Sequence, residues 1–407
     1  MSVSGSAPSE PPASVRSTAA GMTLVTVGSM TANIASYLLH MPASRWLGPA
    51  GYGEFASLLA VQLFLAVPAL ALQTVVAREV VRGASVRAVR ALVTKCVVIV
   101  AVASVAAVPL VSWALGISAV ATASALLVAP VLVLLTGEQG ILQGQGRFTA
   151  LSVVLAAAGV GKVVPAVVVL AVGGGVVGAL VASAAGTLAV SLGARFVVAD
   201  QTAGSTTRFG VRDVLTASQV QLVLIALSSI DLVLAKAVLS EYDAGLYALG
   251  AVATKAAFWL PQAVGVVLYP RMANPAQSVQ AIRAALGVLV GLGVVVVCAA
   301  AVLAPLVPLI VGDEYRPVRS LLWLFALQGA ALSVLQGALL SAIAGERTHL
   351  AIIAWVGLVI EIAALLTFGT TIGRFVMIAA SAALVCAAVT SVVAVRLARR
   401  DAARPLA

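Results

Sequence analysis

Charge is what this sequence has least of. Of 407 residues only 9% are Asp, Glu, Lys or Arg, against 62% hydrophobic, and the mean hydropathy is +1.14. A soluble domain needs roughly 25% charged residues, so this inventory cannot build a water-facing surface, and most of the surface must face lipid. Histidine and cysteine are nearly as scarce. Two histidines cannot supply a metal site. The three cysteines (Cys96, Cys298 and Cys386) lie in apolar runs with no paired spacing, as small membrane-core side chains do. No G-x-x-x-x-G-K-[ST] phosphate loop occurs, which argues against an ATP-driven pump. No loop exceeds about 20 residues, so there is no room outside the bilayer for a catalytic domain. Neither an enzyme nor a cofactor is expected. The formal charge of +10 does not point to nucleic acid, because the basic residues are scattered between apolar runs and not clustered with aromatics.

What is present is a series of apolar runs of about 20 residues, each able to cross a ~30 Å hydrocarbon core as helix. There are twelve: 21–42, 53–77, 93–114, 117–136, 148–172, 175–198, 214–239, 244–269, 284–311, 320–343, 350–372 and 375–395. The stretch 148–198 is long enough for one continuous helix, but Gly173-Gly174-Gly175 at its middle predicts a turn and two spans. Residues 1–20 are Ser/Pro/Ala-rich and read as a disordered tail. The first apolar run lacks a basic leader and has spanning length, so no cleavable signal peptide is expected. The expected fold is all-α and polytopic, with a six-helix lobe over 21–199, an inter-lobe loop at 200–213, a second lobe over 214–397 and a tail at 398–407.

The basic residues carry the topology. With the N-terminal tail inside, the inner loops and both tails hold 17 Lys/Arg, the outer loops hold five (Arg45, Lys236, Arg316, Arg319 and Arg374), and two lie within spans. That asymmetry places both termini in the cytoplasm. The inner cluster Arg78, Arg82, Arg87 and Arg90 enforces this orientation, and secondarily can attract anionic lipid.

The chain also repeats itself. Gly53-x-Phe55 matches Gly245-x-Tyr247 at an offset of 192, and Pro68 and Arg78 match Pro261 and Arg271 at 193. Gly146-Arg147 is echoed by Gly345-Glu346-Arg347. Two copies with an even number of spans each are parallel repeats about an axis along the membrane normal, which makes two six-helix bundles facing across a cleft. The segment Arg45-Trp46-Leu47-Gly48-Pro49-Ala50-Gly51-Tyr52-Gly53-Glu54-Phe55 resembles the first outer loop of the polysaccharide-biosynthesis (Wzx-type) flippases, of the multidrug/oligosaccharidyl-lipid/polysaccharide exporter superfamily. The resemblance extends to Gly245-x-Tyr247, Pro261, Pro270-Arg271 and Gly312-Asp313-Glu314-Tyr315. It implies a MATE/flippase-like pair of lobes in the cell (inner) membrane and alternating access for lipid-pyrophosphate-linked oligosaccharides. It also implies a cleft lined by spans 1, 2, 7 and 8, and a polysaccharide polymerase or glycosyltransferases as partners alongside membrane lipids.

Four charges fall inside spans: Lys162, Asp231, Lys255 and Glu361. At 1.5 Å per residue all lie roughly 13–18 Å below the outer face. A charge at that depth costs at least ~2.5 kcal/mol and must face protein or a wet cavity. Lys255 is followed on one helix face by Trp259 and Gln262, and its partner in the repeat is Gln62. A cationic cleft suits a pyrophosphate; the plainer reading pairs Lys255 with Asp231. Asp231 and Glu361 are candidate ion-coupling sites, or buried partners of a cation. Lys162, beside Gly159 and Gly161, fits close helix packing as well as a functional role. Ser29, Asn33, Ser36, Tyr37 and His40 share one helix face, lining a hydrated path or hydrogen-bonding to a neighbouring helix. Arg45 at the outer mouth would meet a phosphate or anchor to headgroups.

The leading expectation is a flippase for lipid-linked oligosaccharide or polysaccharide precursors. A cation-coupled multidrug exporter of the same superfamily would need an acidic cleft, yet the N-terminal half has Lys162 and no carboxylate at mid-depth. A major-facilitator transporter is disfavoured because the loop AREVVRGASVRAVRA lacks that family's Asp. A non-transporting scaffold of a polysaccharide-assembly complex is the remaining reading.

Overall fold

The computed structural model describes residues 13–198, 211, 222–259, 278–344 and 350–402. Its first element, α1 (Ala13–Val81), runs as helix to Gly48 and resumes after it. Gly48 has φ 64° and ψ 176°, a conformation that an L side chain resists. The two limbs, 13–47 and 49–81, are the first two spans of the sequence, joined by one glycine in place of a loop. Contacts show that the chain turns back there. Ser152 at the start of α5 (Phe148–Ala171) donates to Leu24 O in the first limb. At the end of α4 (Val128–Gly144), Gly144 lies against Ala77 and Val80 of the second limb. Since α4 and α5 are joined by three residues, both ends of α1 lie at the same level.

Hairpins follow. Between α2 (Val86–Leu115) and α3 (Ala119–Leu126), Gly116 takes φ 62° and closes the turn, while Ser85 and Ser118 cap the helices they precede. The break between α5 and α6 (Gly175–Val197) falls at Gly173 (φ 80°) and Gly175 (φ 64°), as the glycine run predicts. The C-terminal half contributes α7 (Ile230–Val238), α8 (Glu241–Trp259), α9 (Ser278–Leu303), the short α10 (Val307–Val311), α11 (Leu322–Ala344), α12 (Ala351–Phe368) and α13 (Ile372–Ala402).

Among the described residues nine helices are long and apolar enough to cross a membrane, one of them the doubled α1. The seventh and eighth expected runs extend into residues outside those described, so the count is consistent with about twelve crossings. Large apolar side chains face outward, such as Val105, Trp113, Phe196 and Leu309, each at least 73% exposed. In water such patches would be aggregation sites; in a bilayer they are the correct surface. The fold is all-α and multi-pass.

Each half contains the same parallel pair. The second limb of α1 runs alongside α3–α4, with Gln62 reaching Ala125 and Val80 reaching Gly144. Likewise α8 runs alongside α11, with Gly250 against Phe325, and Thr254 against Phe325 and Gly329. One polar side chain fastens each pair to a main-chain carbonyl: Gln62 Nε2 to Ala125 O at 2.6 Å, and Thr254 Oγ1 to Phe325 O at 2.9 Å. Ala125 lies one residue before the end of α3, so the glutamine bonds where the helix is interrupted.

Candidate functional site

The two copies of the repeated glycine touch. A Cβ built on Gly53 would stand 2.9 Å from Gly245 N, and one on Gly245 would collide with Pro49 O. Only glycine on both sides lets the backbones approach this closely. Around this seam, Tyr52, Phe55, Tyr247, Tyr315 and Phe325 are all almost fully buried in one core cluster drawn from both halves. Tyr315 Oη donates to Ser44 O at 3.1 Å, and the Tyr315 ring meets Tyr52 edge-on at 6.4 Å. Burial pushes the Tyr315 phenol up, so this donor keeps its proton at any physiological pH. Tyr242 Oη donates to Glu314 O at 2.8 Å, tying the start of α8 to the Gly312–Tyr315 motif. The halves are therefore sealed together at the Gly48 end.

Below the seam lies the charged layer. Lys255, ten residues along α8 from Gly245, sits about 15 Å deeper. Its carbonyl accepts from Tyr37 Oη of the first limb at 3.0 Å, so a residue of the predicted polar stripe meets the predicted lysine helix. His40, one turn on, is 2.8 Å from Tyr52 Oη through Nδ1. Lys162 on α5, Lys255 and His40 are near enough to act on one another electrostatically. Among the described residues neither lysine has an ion-pair partner. The pairing of Lys255 with Asp231 weighed above is not formed as a salt bridge. Asp231 is satisfied otherwise: it accepts from Tyr247 Oη at 2.7 Å, Gln328 Nε2 at 2.8 Å and the Leu232 amide at 2.8 Å. Asp231 still acts on Lys255 through space.

The other expected residues are distributed as follows. Gln62 is buried and bound to Ala125 O within its own half. Asn33 and Arg45 are exposed, and Ser36 bonds back to Ala32 O. Gln262 lies outside the described residues, as do Pro261, Pro270 and Arg271; the helix of Trp259 is described but its side chain is not. Glu361 on α12 is 1% exposed, and its Oε1 has no hydrogen-bond partner among the described residues.

Sequence reasoning did not pick out the network that joins Tyr247, Gln328 and Thr254 around Asp231. A cavity of about 300 Å³ between the first limb, α8 and α10 was also not foreseen. Its walls are apolar apart from Tyr37 and His40, and Tyr37 is the residue that bonds to the Lys255 carbonyl.

No family model matches the chain, and no curated protein matches it. Solved structures do match in fold. An inward-facing multidrug resistance MATE family transporter of the MOP superfamily superposes with TM-score 0.73 at 16% identity, covering 93% of this chain and 99% of that chain. An outward-facing conformation of such a transporter gives 0.61 at 15% identity, over 93% and 96%. A MOP superfamily transporter from Pyrococcus furiosus, described as having a binding pocket of reverse polarity that suggests a different function, gives 0.61 at 15% identity, over 94% and 96%.

Proposed function

We propose that this chain, which has the fold of the MATE transporters, is itself a membrane transporter. Its cargo is an anionic amphiphile of the lipid-pyrophosphate-linked oligosaccharide type, moved by alternating access to the outer leaflet. The observation that carries the reading is the pair Lys162 and Lys255, one from each half, unpaired among the described residues and in electrostatic reach of each other. Two part-buried lysines without salt-bridge partners are costly at this depth of the hydrocarbon. An anion bridging them would offset that cost, and binding it would couple the halves. The apolar cavity beside Tyr37 gives a lipid tail a route at the same level. The closed Gly53–Gly245 seam and the higher TM-score to an inward-facing structure support a cleft that loads from the side opposite Gly48. On the Lys/Arg count that side is cytoplasmic.

The test is reconstitution with a fluorescent polyprenyl-pyrophosphate disaccharide, scored by its accessibility to a lectin outside the vesicle. Lys255→Ala and Lys162→Ala should each slow translocation at least tenfold, and Lys255→Arg should retain most of it. Unchanged rates in both alanine variants would remove the lysine pair from the mechanism. A second reading rests on Asp231 and Glu361, which put acid into the same membrane layer of the C-terminal half: a cation-coupled drug exporter. Ethidium efflux under an imposed H⁺ or Na⁺ gradient, with no lipid translocation, would select it.

A further inference from the structure

The segment Asp313–Ser320, which joins α10 to α11, is a 3₁₀ helix, in which side chains three residues apart lie above one another. That period sorts its residues. Tyr315 and Val318 are buried in the core cluster drawn from both halves, where Tyr315 makes its bond to Ser44 O. Asp313, Arg316 and Arg319 fall on the opposite face and are exposed. Arg316 Nε donates to Asp313 Oδ1 at 3.0 Å. Arg319 has no ion-pair or hydrogen-bond partner among the described residues. This face therefore carries two guanidiniums against one carboxylate. Both arginines line a cavity of about 360 Å³, together with Ser320 and the half-exposed Trp323 of α11. Its remaining wall is apolar, with Ala301 from the end of α9 and Ala304 and Pro305 from the turn that follows. Between them in the chain, Val302 and Leu303 are exposed, as lipid-facing side chains are. On the Lys/Arg count this end of the molecule is the outer one. Two of the five basic residues in its loops converge on this cavity.

We infer that this cavity holds the headgroup of an anionic phospholipid of the leaflet on the Gly48 side, with its phosphate on Arg319 and Arg316. A guanidinium presents its N–H donors as a fork that fits a phosphate bidentately, and its charge strengthens both bonds. Arginine on the outer side works against the asymmetry that orients the chain, so two in one cavity need a reason other than topology. The volume is within the ~300–1,000 Å³ of small-molecule sites and leaves room for a glycerol beside the phosphate. An indole settles at the level of the headgroups, its ring on apolar chain and its N–H toward polar groups. Trp323 thus marks the depth at which phosphate meets acyl ester. The apolar wall at residues 301–305 continues into the lipid-facing surface of α9, a path for acyl chains that a soluble phosphate does not need. The surplus positive charge selects the headgroup. Phosphatidylglycerol leaves its phosphate uncompensated, whereas phosphatidylcholine would bring a third cation to the two arginines. The lysine layer lies deeper and on other helices, so occupancy here does not depend on the transported substrate.

The experiment uses the full chain in phosphatidylcholine nanodiscs containing a minor fraction of phosphatidylglycerol with a diazirine near the top of one acyl chain. After illumination, adducts are mapped by peptide mass spectrometry. Labelling of residues 301–305 or Trp323 is expected, competed by unlabelled phosphatidylglycerol and at least fivefold weaker with the matching phosphatidylcholine probe. Arg316→Gln combined with Arg319→Gln should lower it at least fivefold. Labelling at Phe196, exposed on α6 of the other half, should stay the same. Ser320→Glu leaves both arginines in place and supplies them with a carboxylate, and it should also lower labelling at least fivefold. Gel-filtration profiles show which variants fold as wild type does. Equal labelling by the two probes, or undiminished labelling in either folded variant, would overturn the assignment. Competition by glycerol phosphate as effective as by the lipid would overturn it too, since the ligand would then be a soluble phosphate. No transport is measured, so the result stands apart from the flippase reading.

Discussion

At the scale of single residues, the seam depends on the absence of one methyl group. A Cβ on Gly245 would overlap Pro49 O and stand 2.3 Å from Pro49 C, both backbone atoms that cannot rotate away. Gly193 on α6 is the opposite case, with open space where its Cβ would be. Gly245→Ala is expected to cost about 1–3 kcal/mol through overpacking. Gly193→Ala should be neutral or stabilising by about 0.5–1 kcal/mol through helix propensity. Thermal unfolding in detergent measures both. A Gly245→Ala midpoint no lower than that of wild type would show that the close approach is not maintained in solution. The repetition of Gly-x-aromatic was visible in the sequence, since Gly53 and Gly245 stand at a fixed offset. That the two copies face each other was not visible, because self-similarity reports common descent of the halves and is silent on which surfaces meet.

At the scale of elements, the buried network on α7, α8 and α11 is where the C-terminal half resists exchange of one side chain. Asp231 holds Tyr247 and Gln328, and Gln328 Oε1 in turn is 3.2 Å from Thr254 Oγ1. Truncating Asp231 strands three buried donors, Tyr247 Oη, Gln328 Nε2 and the Leu232 amide, at about 1–3 kcal/mol each. Tyr247→Phe removes one donor and leaves Asp231 with two others, so it should cost about 1 kcal/mol, provided the ring keeps its edge contacts with Phe325 and Phe375 at 5.0 and 5.3 Å. The expected order of thermal stability is wild type, Tyr247→Phe, then Asp231→Ala by a clear margin. A double-mutant cycle of Asp231→Ala with Gln328→Leu should show coupling above about 1 kcal/mol; additive losses would mean that the two side chains do not share a bond.

The elements themselves were largely legible. Hydropathy located the runs, and the glycine triplet divided 148–198 correctly at Gly173 and Gly175. One break was not. Leu127 interrupts the expected run 117–136 three residues before Pro130, whose missing N–H leaves a carbonyl of the preceding turn without its helical donor. A hydropathy sum has no term for backbone geometry, so that run reads as one span. The turn at Gly48-Pro49 falls between the expected spans 21–42 and 53–77, with one glycine in place of the longer loop. For the site, the depth of the four charges was legible because a charge in a run of Val and Ala is conspicuous. Their partners were not, since pairing depends on helix rotation. Asp231 turned to Tyr247 and Gln328, Gln62 turned to the α3 backbone, and Lys162 and Lys255 kept no partner among the described residues.

At the scale of the whole molecule, these facts define a closed end and a buried layer below it. The seam joins backbone to backbone at Gly53 and Gly245, the Tyr315–Ser44 bond reinforces it, and the lysine layer lies about 15 Å deeper. If the halves rock about this junction, access to Lys255 from the Gly48 side requires the seam to part. In a background with Cys96, Cys298 and Cys386 replaced, Lys255→Cys should resist a membrane-impermeant maleimide applied from the Gly48 side. Asp313→Cys, exposed beside the seam, reports that side and should label fully in the same time. Adding Gly245→Val enlarges the obstruction at Pro49 and biases the equilibrium toward a parted seam. Labelling of Lys255→Cys from that side should then accelerate at least tenfold, which corresponds to about 1.4 kcal/mol of bias, within the reach of one overpacked side chain. Fast labelling of Lys255→Cys without the valine would place the resting barrier elsewhere than this seam. No acceleration with it would mean that the Gly53–Gly245 contact is a scaffold on which both conformations turn, and not the gate between them.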